Sequence, residues 1–410
     1  MITQQRQSRF EVAFFVTELF YFCRNPDRKL DQKIAKTLKI HNKSFFIFII
    51  IIFNWLVVPG LLSQESKTNA TSLFFIGAKV NYGYLIPHHT EIWALTNNFY
   101  RSAEFSIWKQ TNGKKGWQYH YHYPRIGLTY RYTDFGTTKY LGHMNAVFPW
   151  MNFPLVSNEN FFFDLKIGLG VAHFSKKFDR LENYKNLAIG SNWNAAVNFQ
   201  LQTRWKLDAQ TWMNAGFSMF HASNGTTKTP NFGVNEPAIF AGIDIKLNDQ
   251  EIEYLQPQHI QERKGKIHFR MMASQASKQI EKDWENYYRV VVGSADFSVF
   301  YNNFNRVYLG FDAIFDESVR VVLTRKENRI YSDEEIMKYG IVAGHEWVLS
   351  NLSLFGAFGY YVKTYDMSDG LVFNKLGINY AVLKYLVLNL TLKTYYARAD
   401  YLSVGVGIIL

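Results

Sequence analysis

Apolar and polar residues alternate with period two through most of the chain beyond residue 70. Over residues 163–173, Phe163, Leu165, Ile167, Leu169 and Val171 alternate with Asp164, Lys166, Gly168, Gly170 and Ala172. Further on, Val197, Phe199, Leu201 and Trp205 alternate with Asn198, Gln200, Gln202, Arg204 and Lys206. The same holds for Ile126, Leu128, Tyr130 and Tyr132 against Arg125, Gly127, Thr129 and Arg131, and for Ile243, Ile245 and Leu247 against Asp244, Lys246 and Asn248. Successive side chains of a strand point to opposite faces, so each segment has one greasy and one wet side. Eight such strands are predicted near 72–84, 99–108, 125–133, 140–151, 161–173, 193–206, 210–223 and 237–248. A charged stretch, 249–265, follows. Eight more strands are predicted near 266–275, 287–300, 304–315, 337–348, 351–363, 371–380, 385–396 and 400–410. Residues 317–335 are too charged for a membrane strand and read as a loop.

Many of these segments run to about ten residues, the length a tilted strand needs to cross a bilayer. Alternation alone also describes a soluble sandwich. Lys, Arg and Asp on the non-greasy face favour a wet lumen over a dry core. The predicted fold is therefore all-β: a transmembrane antiparallel β-barrel. A single barrel of about 14–16 strands is favoured, because the second half has only one closing pattern; two smaller units joined at 249–265 are the alternative. In the last segment Leu402, Val404, Val406, Ile408 and Leu410 alternate up to the terminal residue. That resembles the C-terminal strand by which outer-membrane proteins are recognised for insertion, although most of those end in an aromatic residue.

Composition supports the membrane reading. The chain is 17% aromatic, with Phe 35, Tyr 26 and Trp 10, yet its mean hydropathy is only −0.18. Barrels girdled by aromatics, half lipid-facing and half wet, have this balance. Of the net charge of +11, the first 43 residues supply +5 (nine Lys or Arg against four Asp or Glu). The rest is spread without a dense basic block, which argues against nucleic-acid binding. It suits an anionic partner such as the phosphates of lipopolysaccharide, and equally a general need for solubility.

Residues 44–60, SFFIFIIIIFNWLVVPG, follow Lys39 and Lys43 and precede Leu62, Ser63, Gln64 and Glu65. This is the basic, apolar, cleavable order of a secretory signal; a transmembrane helix near the lower length limit is the alternative. Residues 1–63 are thus expected to be an N-terminal extension plus signal, removed near Ser63–Gln64. The first 37 residues fit poorly before such a signal, and no methionine occurs between Met1 and Met144. A start at Leu38 would fit the leader better; a cytoplasmic extension or second helix is the alternative. The sole cysteine, Cys23, lies in the part expected to be lost, leaving no disulfide or thiolate chemistry.

One motif carries chemistry: Phe220-His221-Ala222-Ser223-Asn224-Gly225, continuing through Lys228, Pro230, Asn231 and Gly233 to Asn235. On the strand before it Met213, Ala215, Phe217 and Met219 form the greasy face, and parity carries His221 and Ser223 onto that side. Imidazole and hydroxyl two residues apart on one face are the minimal base–nucleophile pair for acyl transfer. Polar groups are costly toward lipid and become intelligible at the interface if the substrate is itself a lipid. The alternative is a strand tip followed by an ordinary Ser-Asn-Gly turn.

The motif His221-x-Ser223-Asn224 with Lys228, Pro230-Asn231 and Gly233 resembles the lipid A 3-O-deacylase (PagL-like) family, also called acyloxyacyl hydrolases, over roughly 72–248. The resemblance implies an eight-stranded outer-membrane barrel with a Ser–His–Glu site on its outer wall. It makes Ser223 the nucleophile, His221 the general base, and Asn224 with the Gly225 N–H the oxyanion donors. Fourteen residues after the histidine, where the family has glutamate, stands Asn235, with Glu236 next to it. By parity Asn235 shares the dyad's face and Glu236 the opposite one; a bulge at Pro237 would exchange them. Asparagine can hold the imidazole tautomer but stabilises imidazolium less than a carboxylate does.

The expected organisation is a hydrolase barrel over 64–248, a connection over 249–265 and additional strands over 266–410. The expected activity is removal of an ester-linked acyl chain from lipid A of lipopolysaccharide in the cell outer membrane, with water as final acceptor and no cofactor or metal. Two alternatives are kept. One is a channel or structural barrel with a decayed site, its lumen lined by Lys338, Glu346 and Lys393; the other is an adhesion barrel with binding loops. Gly344-His345-Glu346 lacks the spacing of a zinc site, and His88-His89 and His120-x-His122 lie in predicted loops.

Overall fold

The computed structural model describes residues 73–410, apart from 96–98, 137–138, 249, 258–259, 261, 281–282 and 397. The expected export signal and Cys23 lie outside the described residues. The first eight strands are β1 (Leu73–Tyr84), β2 (Phe99–Gln110), β3 (Arg125–Asp134), β4 (His143–Ser157), β5 (Phe161–Phe174), β6 (Trp193–Lys206), β7 (Thr211–Ser223) and β8 (Val234–Lys246). Each pairs antiparallel with the next, and β1 closes on β8 with Ala78 opposite Ile243. The second eight are β9 (Ile267–Ile280), β10 (Asp283–Phe300), β11 (Asn305–Asp316), β12 (Met337–Leu349), β13 (Leu352–Lys363), β14 (Val372–Ala381), β15 (Leu386–Tyr395) and β16 (Arg398–Ile409). They close separately, β9 on β16, with Ser274 opposite Gly405.

The strands therefore form two barrels of eight, where a single larger barrel was favoured. Strand pattern sets how many strands there are and which way each faces. Which strands meet to remove the last free edge is a long-range choice. Residues 317–335, read as a loop, hold the helices Glu317–Glu327 and Asp333–Ile336. The first is capped by the Asp316 carboxylate, which accepts from the Ser318 N–H, and it ends at Asn328 with φ +54°.

Period two divides the walls. Phe105, Leu128, Tyr130, Phe217 and Ile243 point outward and are exposed, while Lys79, Glu104, Arg131, Asp164 and Lys166 point inward and are buried. An eight-stranded barrel is just narrow enough for its interior to be filled by side chains. In the first barrel the Arg131 guanidinium bonds Glu104 at 3.0 Å and Glu236 at 2.8 Å, and Arg125 bonds Asp164 at 2.6 Å. In the second, Glu346 receives Arg270 at 3.0 Å and Arg306 at 2.9 Å, and Lys393 bonds Asp400 at 2.8 Å. Lys338 bonds Asp366 at 3.2 Å. The three residues considered as pore lining are thus buried in ion pairs. A cavity in each lumen measures about 10 Å³, room for roughly one water.

Arg131 neutralises two carboxylates that have no access to solvent. Arg131→Met takes the ion pair from both, leaving Glu104 with only the Gln200 amide, a loss of about 3–5 kcal/mol for a broken buried ion pair. The expected outcome is a lower temperature for the folded-to-unfolded mobility shift of the detergent-solubilised barrel.

Candidate active site

The β7–β8 register sets the site. His221 lies directly opposite Asn235, and Phe220 opposite Glu236. His221 and Asn235 face outward on the same wall as Phe217 and Ile239, which are 48% and 68% exposed. The imidazole Nδ1 lies 2.7 Å from Asn235 Oδ1, and Nε2 lies 3.0 Å from Ser223 Oγ. An amide oxygen can only accept, so Nδ1 carries the proton and Nε2 is left to accept from the Ser223 hydroxyl. That is the tautomer a general base requires.

Glu236 does not join this group. It is fully buried in the lumen and held by Arg131 at 2.8 Å. The ladder continues through Pro237, which pairs with Met219, so the strand keeps its parity and the two neighbours stay on opposite faces.

His88, set aside in the sequence as a loop histidine, reaches the site from the β1–β2 connection. The Ile86 N–H donates to the Asn235 carbonyl at 3.0 Å, which brings this segment alongside β8. His88 Nε2 lies 2.9 Å from the Phe232 carbonyl, and its Nδ1 lies 3.1 Å from the Asn235 amide nitrogen. With the proton on Nε2, Nδ1 accepts from Asn235 and turns the amide so that its oxygen meets His221. The other tautomer would aim the Nδ1 proton at the Ile86 carbonyl, 3.2 Å away. The result is a chain His88–Asn235–His221–Ser223 whose outer members lie far apart in sequence, which is why no local pattern reveals it.

The turn after Ser223 is built by Asn224. Its amide nitrogen donates to Ser191 Oγ at 3.0 Å and to the Lys228 carbonyl at 2.9 Å, and its own N–H is taken by Asn231 Oδ1 at 3.0 Å. Asn224 was expected to donate to an oxyanion; its donors are instead committed to the turn. The Gly225 N–H has no protein acceptor among the described residues. Gly225 adopts φ +61° and Thr226 φ +62°, the left-handed conformation that glycine takes without cost. Gly233, at φ +77°, covers the dyad: a Cβ there would stand 2.9 Å from His221 Cε1 and 3.2 Å from Ser223 Cβ. The Phe232 and Gly233 N–H groups are fixed to the carbonyls of Leu187 and Ala188 at 3.2 and 2.9 Å.

His89 stacks on Phe232 at 4.3 Å, beside His88, whereas the other histidines that the sequence singled out stand apart. His345 points out and bonds Tyr301, while Glu346 points into the second lumen. His120 packs against Phe304, the rings tilted at 37°, at the opposite end from the dyad.

The family model for lipid A 3-O-deacylase (PagL) matches residues 101–244, and that for the acyloxyacyl hydrolase C-terminal domain matches residues 267–409. Residues 101–244 belong to the PagL lipid A 3-O-deacylase family, and residues 267–409 to its acyloxyacyl hydrolase C-terminal domain family. The chain is an outer-membrane β-barrel protein. Among solved structures, the outer-membrane enzyme PagL is similar at 16% identity and TM-score 0.27, over 41% of this chain and 97% of that one. Neisserial surface protein A is similar at 10% identity and TM-score 0.29, over 44% of this chain and 100% of that one. A mutant porin of Rh. blastica is similar at 9% identity and TM-score 0.17, over 83% and 100%. No curated protein sequence matches the chain.

Two substitutions separate the faces. Gly233→Ala displaces the imidazole, and a misplacement of about 1 Å costs about a hundredfold in rate; ester hydrolysis is expected to fall by that order with the barrel still folded. Glu236→Gln weakens the Arg131 pair and is expected to lower the unfolding temperature while leaving the hydrolysis rate per folded molecule within about threefold, since its side chain lies on the opposite face of the wall from the dyad.

Proposed function

We propose that this protein is an outer-membrane esterase that removes an ester-linked acyl chain from lipid A by a Ser–His acyl-enzyme mechanism. The observation that carries the reading is the hydrogen-bonded chain Asn235–His221–Ser223 on an outward, otherwise apolar wall. Polar, reactive groups are costly toward lipid and call for a substrate that resides there.

In this reading His221 Nε2 takes the Ser223 proton as Oγ attacks the ester carbonyl. The oxyanion is met by the Gly225 N–H. On collapse the ester C–O bond breaks, His221 gives the proton to the departing sugar oxygen, and the acyl group remains on Ser223. A water, deprotonated by the same imidazole, then releases the fatty acid and restores the serine. Asn235 holds the tautomer but contributes no negative charge, so the imidazolium is stabilised less than beside a carboxylate.

Two further features support a lipopolysaccharide substrate. At the end away from the dyad the connections 158–160 and 207–210 are short and 111–124 is longer, whereas 175–192 and 224–233, at the dyad's end, are both long. Outer-membrane barrels carry short turns on the periplasmic side and longer loops outside, and the two short turns support a dyad at the outer leaflet. Beside it, burial and then the charge of Lys177 hold the Lys228 ammonium below the ordinary lysine value. A phosphate arriving between these two cations would relieve their repulsion.

Mass spectrometry of lipid A from cells with and without the protein tests the proposal; the expected product lacks one ester-linked acyl chain. Ser223→Ala and His221→Ala are each expected to lower turnover by about three orders of magnitude or more. Asn235→Glu is expected to keep or raise it. Near-normal turnover in either of the first two variants would refute the dyad.

A further inference from the structure

The turn that follows Ser223 is not held by the first barrel alone. The Thr226 carbonyl accepts from the Gln279 N–H at 2.9 Å, and Gln279 Oε1 accepts from the Thr229 N–H at 2.9 Å. The Thr229 hydroxyl donates to the Ile280 carbonyl at 3.4 Å, and the Thr226 hydroxyl donates to the Asp400 carbonyl. Gln279 and Ile280 end β9, and Asp400 opens β16, so all of these contacts come from the second barrel. Gln279 is only 2% exposed, so the contact is enclosed.

Gly225 is met by side chains from the same direction. A Cβ added there would stand 3.2 Å from Leu402 Cβ and 3.6 Å from Leu392 Cδ1. These two leucines are register partners on β16 and β15, and they point out of the second barrel because Lys393, Tyr401 and Ser403 point in. Below them the same register pairs Leu390 with Val404, Leu388 with Val406 and Leu386 with Ile408. A double row of apolar side chains thus leads from the Gly225 turn down the wall for about 20 Å. Outward leucines on an isolated barrel would touch only lipid. Leu392 and Leu402 instead abut the turn that carries the oxyanion donor.

We propose that the second barrel completes the active site: β9 and β16 brace the 224–229 turn, and the row beginning at Leu392 and Leu402 is the wall along which the acyl chain of the ester lies. The inference rests on the esterase reading above. An ester held with its carbonyl at Ser223 Oγ and Gly225 N–H must send its chain away along the wall of the barrel. On the first barrel that wall is β7, with Met219 and Phe217; the second barrel supplies the facing side. Gln279 is then a positioning residue that acts through the turn, while Leu392 and Leu402 set the chain length that fits.

The test uses the full-length protein in detergent with p-nitrophenyl butyrate, laurate and palmitate, each variant first checked for its folded mobility. Leu402→Trp and Leu392→Trp narrow the wall at its mouth and are expected to lower the laurate-to-butyrate ratio of kcat/KM by about tenfold. Leu402→Ala widens it and is expected to move the preference toward palmitate. Gln279→Ala is expected to lower kcat on every ester by about tenfold with little change in KM, the signature of a displaced oxyanion donor. Leu309→Trp, on the exposed face of β11, is expected to leave the profile unchanged. An active wild type whose chain-length profile is the same in all three Leu392 and Leu402 variants, or is shifted equally by Leu309→Trp, overturns the inference alone. A wild type that cleaves none of the esters nor lipid A overturns the esterase reading, and this inference with it.

Discussion

The structure depends on backbone pairing in a medium without water. An N–H or C=O left open toward hydrocarbon costs several kcal/mol, so a strand can cross the membrane only inside a closed sheet. Closure at eight strands has two consequences. It fixes the wall into strictly alternating inner and outer positions, and it leaves a lumen that side chains can fill. The inner charges are then obliged to pair, as Arg131 does with Glu104 and Glu236, and Glu346 with Arg270 and Arg306. A lumen packed in this way stiffens the wall, and Lys338, Glu346 and Lys393 lie buried in its ion pairs.

A rigid wall explains how so small a site can be assembled without a cavity. His221, Asn235 and Ser223 are held by strand register at the end of a ladder, and their geometry is that of the ladder. Two neighbouring residues have opposite roles for this reason alone. Asn235 meets the imidazole, and Glu236, one residue on, neutralises an arginine inside the barrel. A carboxylate at 235 would face the imidazole directly. With asparagine there, the orientation of the amide has to be specified from outside, and His88 has the hydrogen-bonding pattern to do so. In the proposed mechanism, asparagine at 235 gives up charge stabilisation of the imidazolium and keeps control of the tautomer.

The second barrel repeats the architecture without repeating the dyad. Its contact with the first barrel falls at the turn whose shape depends on left-handed Gly225 and Thr226. Asn224 braces that turn from within, through the Lys228 carbonyl and the Thr227 hydroxyl, and ties it to Ser191. Bonds with Gln279 and Asp400 hold it from the side of the second barrel.

The sequence by itself determined the sixteen strands, their faces and the side on which His221, Ser223 and Asn235 emerge. These follow from period two, a local property written in every strand, and from the parity of one short motif. Tertiary structure alone decided the rest. Whether β8 closes on β1 or runs on into β9 depends on hydrogen bonds between segments far apart in the chain, and no residue in either strand announces the choice. The helix at Glu317–Glu327 looked like a loop because its charges exclude a membrane strand without indicating what replaces it. His88 and Gln279 belong to no pattern around the motif; each is brought there by backbone pairing elsewhere, at Ile86 and along β9. Asn224 had the right chemistry for an oxyanion donor, and only the positions of Ser191, Lys228 and Asn231 show that its hydrogens are already used. Alternation along a strand is encoded residue by residue, whereas the partner of a given donor is set by which distant segments the closed sheet brings within 3 Å.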